Sequence, residues 1–213
     1  MKRIDPATWP RRSHYEFFRN LAHPHVGLTA EIDVSALIGL LKPAGISPFA
    51  ASLYAITLAA NRVPEFRVRF RGEEIVEHEV VHPSVTVPIE GERFVFCELE
   101  HADDWPTFEG RCRDALERGR RQEALTDNVG ARDDWIFLTC LPWLRFTAMT
   151  HPTKGTDDCI PRLAWGRFVE EHGRWTMPVC VQAHHALIDG LHLGRFYEEL
   201  QEIVSALPSR IGA

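Results

Sequence analysis

Residues 177–195 read MPVCVQAHHALIDGLHLGR. Val179, Val181 and Ala183 alternate with Cys180, Gln182 and His184, the two-residue period of a strand with distinct faces. The strand delivers His184 and His185 to its end, and Gly190 turns the chain into a helix expected over residues 191–206. Side chains at such a corner are held firmly and still reach a cleft, which is where a base is useful.

Outward from this corner, strands are expected at residues 135–141, 144–150, 162–170 and 174–182. Toward the N-terminus a short helix is expected at residues 13–20 and a half-buried strand at 28–34. A short amphipathic helix at 35–41 is stopped by Pro43 and Gly45. Ser47 followed by Pro48 is an N-cap with proline at the first helical position, so a helix should run to Asn61, before Pro64 blocks it. It is apolar most of the way round, as a helix buried against a sheet is. Strands follow at 66–70, 74–77, 84–88 and 93–98, with Arg71, Gly72 and Gly91 at turns, and residues 105–122 form a charged surface helix. Strands and helices mix without strict βαβ alternation. The expected class is therefore α/β of the α+β type, a single domain (1–213) with a mixed, largely antiparallel sheet and helices packed on it.

The 213 residues carry 24 Lys and Arg against 30 Asp and Glu, a net charge of −6, and are 45% hydrophobic and 25% charged. That is too apolar for disorder and argues against nucleic-acid or anionic-membrane partners, which need clustered cations. The longest weakly polar run, residues 48–60, falls short of the roughly 20 residues a spanning helix needs. The N-terminus has no apolar secretory core, and five widely spaced cysteines with no CxxC point to a reducing cytoplasm. No GxGxxG follows a strand and no GxxxxGK[ST] occurs, which disfavours nicotinamide and P-loop chemistry.

A lone HxxxD is weak, but the full pattern in HHALIDG has a chance expectation of roughly one in several hundred. A neutral imidazole at pH 7 can take a proton from a hydroxyl through one nitrogen while the other is fixed by a hydrogen bond. Such a base activates the substrate's own nucleophile, so no enzyme Ser or Cys is required. The plain alternative is that both histidines are buried and hydrogen-bonded and Asp189 only caps the last helix. A metal is not expected: there is no HExxH or Cys/His quartet, and adjacent histidines on a strand point apart.

Beyond this motif, TWPRRSHYEFFR (8–19), LTAEIDV (28–34), VPEFRVRFRGEEIV (63–76), VHPSVTV (81–87) and LPWLRFTAM (141–149) follow, in order and spacing, a known pattern. With VQAHHALIDGLHLGR (181–195) they make the chain resemble the trimeric chloramphenicol acetyltransferases over nearly its whole length. The motif alone is shared with dihydrolipoyl acyltransferase cores and peptide-synthetase condensation domains.

The resemblance implies a CoA-dependent acyltransferase-like two-layer sandwich and a homotrimer with active sites at subunit interfaces. Acetyl-CoA would be the co-substrate, chloramphenicol or a similar small hydroxyl compound the acceptor, and antibiotic resistance the role. It makes His185 the general base and pairs Asp189 with Arg11 in a structural ion pair. Phe17 and Phe18 fall on positions lining the acceptor pocket, although the stretch 23–26 differs. Arg167 and Phe168 match a Lys-Tyr pair near the CoA nucleotide; an alternating strand with Arg167 in solvent is the other reading. His192 matches a family histidine and is assigned no catalytic role.

Two positions depart from the family. Its oxyanion-binding serine is replaced by Ala148; losing such a donor typically costs about 100- to 1,000-fold in rate. Thr147 is a possible oxyanion donor, but only through a bulge or register shift, since neighbouring strand side chains face opposite ways. A threonine that helps hold a water near the acceptor is replaced by Ala164. A catalytically impaired member that binds or sequesters small molecules is the alternative these changes raise.

Overall fold

In a computed structural model that describes residues 1–126 and 132–212, the chain begins with β1 (Lys2–Ile4), α1 (Arg12–Arg19) and β2 (His25–Asp33). A π-helical turn (Leu37–Leu41) leads to α2 (Pro48–Arg62) and a 3-10 turn (Pro64–Arg67). Then come β3 (Val68–Arg71), β4 (Glu74–Glu77), β5 (His82–Ile89), β6 (Arg93–Glu98) and α3 (Trp105–Arg120). The chain continues through β7 (Trp135–Leu141), β8 (Arg162–Gly166), β9 (Val169–Glu171), β10 (Arg174–His184) and α4 (Gly190–Ile211).

The main sheet has the order β2-β10-β8-β7-β5-β6, with β9 also on β10. β7 pairs in parallel with β5 and β8, and the remaining pairs are antiparallel, so the sheet is mixed as expected. A small antiparallel sheet, β1-β4-β3, stands apart.

One cross-strand row of the main sheet runs Cys97, Val85, Leu138, Leu163, Val181, and all five are buried. These belong to the hydrophobic core shared with α2, α3 and α4. The neighbouring row, Phe96, Thr86, Thr139, Ala164, Cys180, points to the opposite face, because successive strand side chains alternate. Helix α2 starts as its sequence dictates: the Ser47 side chain accepts the Ala50 N–H, and residues 50–60 are all buried. Helix α3 is less a surface helix than its charge suggests. Trp105, Phe108, Cys112, Ala115 and Gly119 form a buried stripe. A Cβ at Gly119 would stand 2.1 Å from the Cys97 sulfur, so only glycine permits this approach.

Three expectations are corrected. Residues 66–67 belong to the 3-10 turn, and β3 starts at Val68. The helix expected at 35–41 does form, with residues 37–41 wound as a π turn. The strand expected at 162–170 is two strands broken at Arg167 and Phe168. Val179 faces Trp165 whereas Thr176 faces Val169, so the β8–β9 side carries one extra residue, a bulge opposite Pro178, which has no N–H to pair. The strand expected at 144–150 does not form. Both edges of β7 are already taken, and the segment's backbone pairs elsewhere: Arg167 N–H bonds Leu144 O (2.7 Å), and Gln182 clasps His151 by its N–H (2.7 Å) and C=O (3.1 Å).

Candidate active site

β10 ends in a tight turn whose backbone N–H groups, from His185 to Asp189, are all bonded. His185 N–H donates to Pro24 O (2.8 Å), tying the turn to the segment before β2, and the Leu187 and Ile188 N–H groups both reach His184 O (3.0 Å). Asp189 then caps α4 by accepting the Leu191 N–H (3.0 Å).

The two histidines meet opposite fates. His184, 1% exposed, uses both ring nitrogens: Nε2–H donates to Thr156 O (2.9 Å) and Nδ1 accepts the Ala186 N–H (3.2 Å). Burial pushes its pKa down to about 4, so it is a neutral, fixed strut. His185 is half-buried, and its Nδ1 lies 3.1 Å from Ile188 O. A carbonyl can only accept, so Nδ1 carries the proton and the neutral ring keeps its lone pair on Nε2. The Phe18 ring stacks on His185 with centroids 3.9 Å apart and 25° between planes. Phe17, one position earlier in α1, is exposed and meets Phe18 edge-on.

Asp189 Oδ2 accepts from Arg11 Nη1 at 2.6 Å, with both side chains mostly buried. Burial pushes its carboxyl upward, but the Arg11 bond, the Arg11 charge and the Leu191 N–H outweigh it, leaving the carboxyl below its ordinary value. His192, in the first turn of α4, accepts the Asp189 N–H on Nδ1 (3.1 Å) and turns Nε2 to Glu65 Oε1 (3.3 Å).

The other singled-out residues lie apart from this turn. Thr147 and Ala148 are exposed in the irregular segment after β7, and Ala164 is buried in the middle of β8. Arg167 is exposed and Phe168 half-buried in the bulge between β8 and β9. Among the described residues, no three His, Cys, Asp or Glu side chains are grouped to hold a metal ion. No helix there is long and apolar enough to cross a membrane.

Sequence reasoning missed an apolar hollow of about 620 Å³ on the sheet face turned away from the helices. Phe94, Phe96, Phe137, Leu141 and Trp143 line it, with Thr86 and Thr139 supplying hydroxyls; its lining does not include His185. The signal was the pair of phenylalanines at alternate positions of β6, matching the polar rather than the core-facing row.

The chloramphenicol acetyltransferase family model matches residues 1–201. A chloramphenicol acetyltransferase of Streptomyces acrimycini is 31% identical over 206 residues, covering 95% of this chain and 93% of that protein. A solved chloramphenicol acetyltransferase structure is similar at a TM-score of 0.85 and 28% identity, over 94% of this chain and 98% of that one. The dihydrolipoamide acetyltransferase of Azotobacter vinelandii shares the fold at a TM-score of 0.68 and 16% identity, over 93% and 88%.

Proposed function

Because the chain belongs to the chloramphenicol acetyltransferase family and is an acyltransferase, we propose that it moves the acetyl group of acetyl-CoA to a hydroxyl of a small molecule, with His185 as general base. The observation that carries this reading is the Nδ1–H bond from His185 to Ile188 O, which leaves the Nε2 lone pair on a half-buried ring stacked against Phe18. Nε2 takes the hydroxyl proton as the acceptor oxygen attacks the thioester carbonyl. The tetrahedral intermediate then collapses, and the imidazolium returns the proton to the departing CoA thiolate. Asp189 and Arg11 hold the turn rather than touch substrate.

A homotrimer with sites at subunit interfaces fits the separation between the His185 turn and the apolar hollow, which a neighbouring copy would join. Exposed Phe94, Trp143 and Leu144 at or beside the hollow support such a contact. In this arrangement the hollow receives the acceptor, chloramphenicol or a similarly apolar alcohol, Phe17 and Phe18 flank it, and Arg167 and Phe168 meet the CoA nucleotide. The protein works as one domain in the cytoplasm, a reading supported by its shared core and free cysteines.

Ala148 and Ala164 favour a second reading, an impaired member that binds without turnover. Thiol release from acetyl-CoA with a panel of alcohols, products identified by mass spectrometry, separates the two. Acetylated alcohol supports transfer; background release together with measurable acceptor binding supports sequestration.

A further inference from the structure

Two groups, one peptide and one imidazole, join His185 to a carboxylate that no motif connects with it. His185 Nδ1–H bonds Ile188 O at 3.1 Å, and Asp189 N–H bonds His192 Nδ1 at 3.1 Å. Ile188 C=O and Asp189 N–H are the two ends of one peptide group, whose resonance makes the oxygen a better acceptor when the N–H is donated. His192 Nε2 then faces Glu65 Oε1 at 3.3 Å. We infer that Glu65 and His192 are positioning residues for the transfer reaction: the Glu65 charge, relayed through His192 and the 188–189 peptide, orients His185 and steadies the cation it becomes.

The geometry fixes the direction of each bond. A backbone N–H can only donate, so Nδ1 of His192 is the acceptor, and the ring's one proton sits on Nε2, facing Glu65. Asp189 Oδ1 also lies 3.1 Å from Nδ1, but it is engaged by the Leu191 N–H, and Oδ2 by Arg11. The His192 side chain is 4% exposed, and burial lowers its pKa against the opposing pull of Glu65 and Asp189. Arg11 and Arg195 also disfavour its charged form, and Nδ1 accepts the Asp189 N–H while Nε2 is turned to Glu65. Glu65 Oε2 is buried without a hydrogen-bond partner, so the Glu65 charge is little spent elsewhere. The chain resembles in logic a carboxylate that orients a catalytic imidazole, with a peptide and a second ring interposed.

This inference rests on His185 as the base, and the test separates the two. Glu65→Gln keeps an acceptor for Nε2–H but removes the charge, and His192→Asn keeps an acceptor for the Asp189 N–H but cannot reach Glu65. Each should lower kcat by about tenfold with both KM values nearly unchanged, and should move the acid limb of the kcat profile to lower pH. Glu65→Asp should recover part of the loss. Wild-type kcat and pH profile in both variants, with His185→Ala inactive, would overturn the relay and leave the base reading standing. Full activity in His185→Ala would overturn the base. In that event histidine ¹⁵N spectra decide the relay: His185 protonated on Nδ1 and His192 on Nε2 support it, and the opposite tautomer at His192 contradicts it.

Discussion

The turn after β10 and the segment after β7, both called on by the proposed transfer reaction, are built differently. In the turn, each backbone N–H from His185 to Asp189 is bonded within a few residues or to Pro24, and one ring nitrogen of His185 is left for chemistry. The segment has no ladder of its own. It hangs on side chains of β10, with Gln182 bonded to His151 and Cys180 S–H to Met149 O (3.3 Å). Local bonding preorganises a base without help, whereas a loop held by borrowed contacts takes its working shape from what packs on it.

His185→Ala breaks the turn's half of this comparison most severely. A loss of acetyl transfer on the order of 1,000-fold, with sedimentation behaviour unchanged, is expected. Arg11→Ala leaves the base but loosens its platform. It should cost about tenfold in kcat and on the order of 1 kcal/mol of unfolding free energy, read by denaturant titration. Ala148→Ser sharpens the other half: a hydroxyl added to the segment should raise turnover by roughly tenfold if that segment closes over the reacting carbonyl. An unchanged rate would mean that another donor already serves.

The pH effect falls on stability and not on turnover. His184 and His151 are both pushed down to about 4 by burial, against 6.5 for a free histidine. Between these values the unfolded chain binds more protons, so stability falls as pH drops from about 6.5 to 4. Each ring contributes a slope of up to about 1.4 kcal/mol per pH unit. His184→Gln should flatten the acid side of a melting-temperature profile; an unchanged slope would show that His184 does not titrate there.

Where sequence pattern mirrors local bonding, it was readable. β7 spans the residues 135–141 that alternation marks out, and α2 begins at the Ser47-Pro48 cap. The strand at 144–150 was misread because alternation of Leu144, Phe146 and Ala148 says nothing about whether a partner edge is open, and β5 and β8 had filled both. The bulge at Arg167 depends on a proline in a different strand, so period alone could not place it. At the site, HHALIDG marks the corner but not which ring is buried. That follows from strand parity and from Thr156 and Phe18, brought in from distant segments. Glu65 lies 120 positions from His185 in sequence and only tertiary structure joins them.

A structure of the protein with CoA and a bound acceptor alcohol tests the central claim most directly. The account predicts the acceptor hydroxyl within about 3 Å of His185 Nε2 and the CoA sulfur approaching the same oxygen. A hydroxyl bonded to some other side chain, with His185 facing neither substrate, would contradict it.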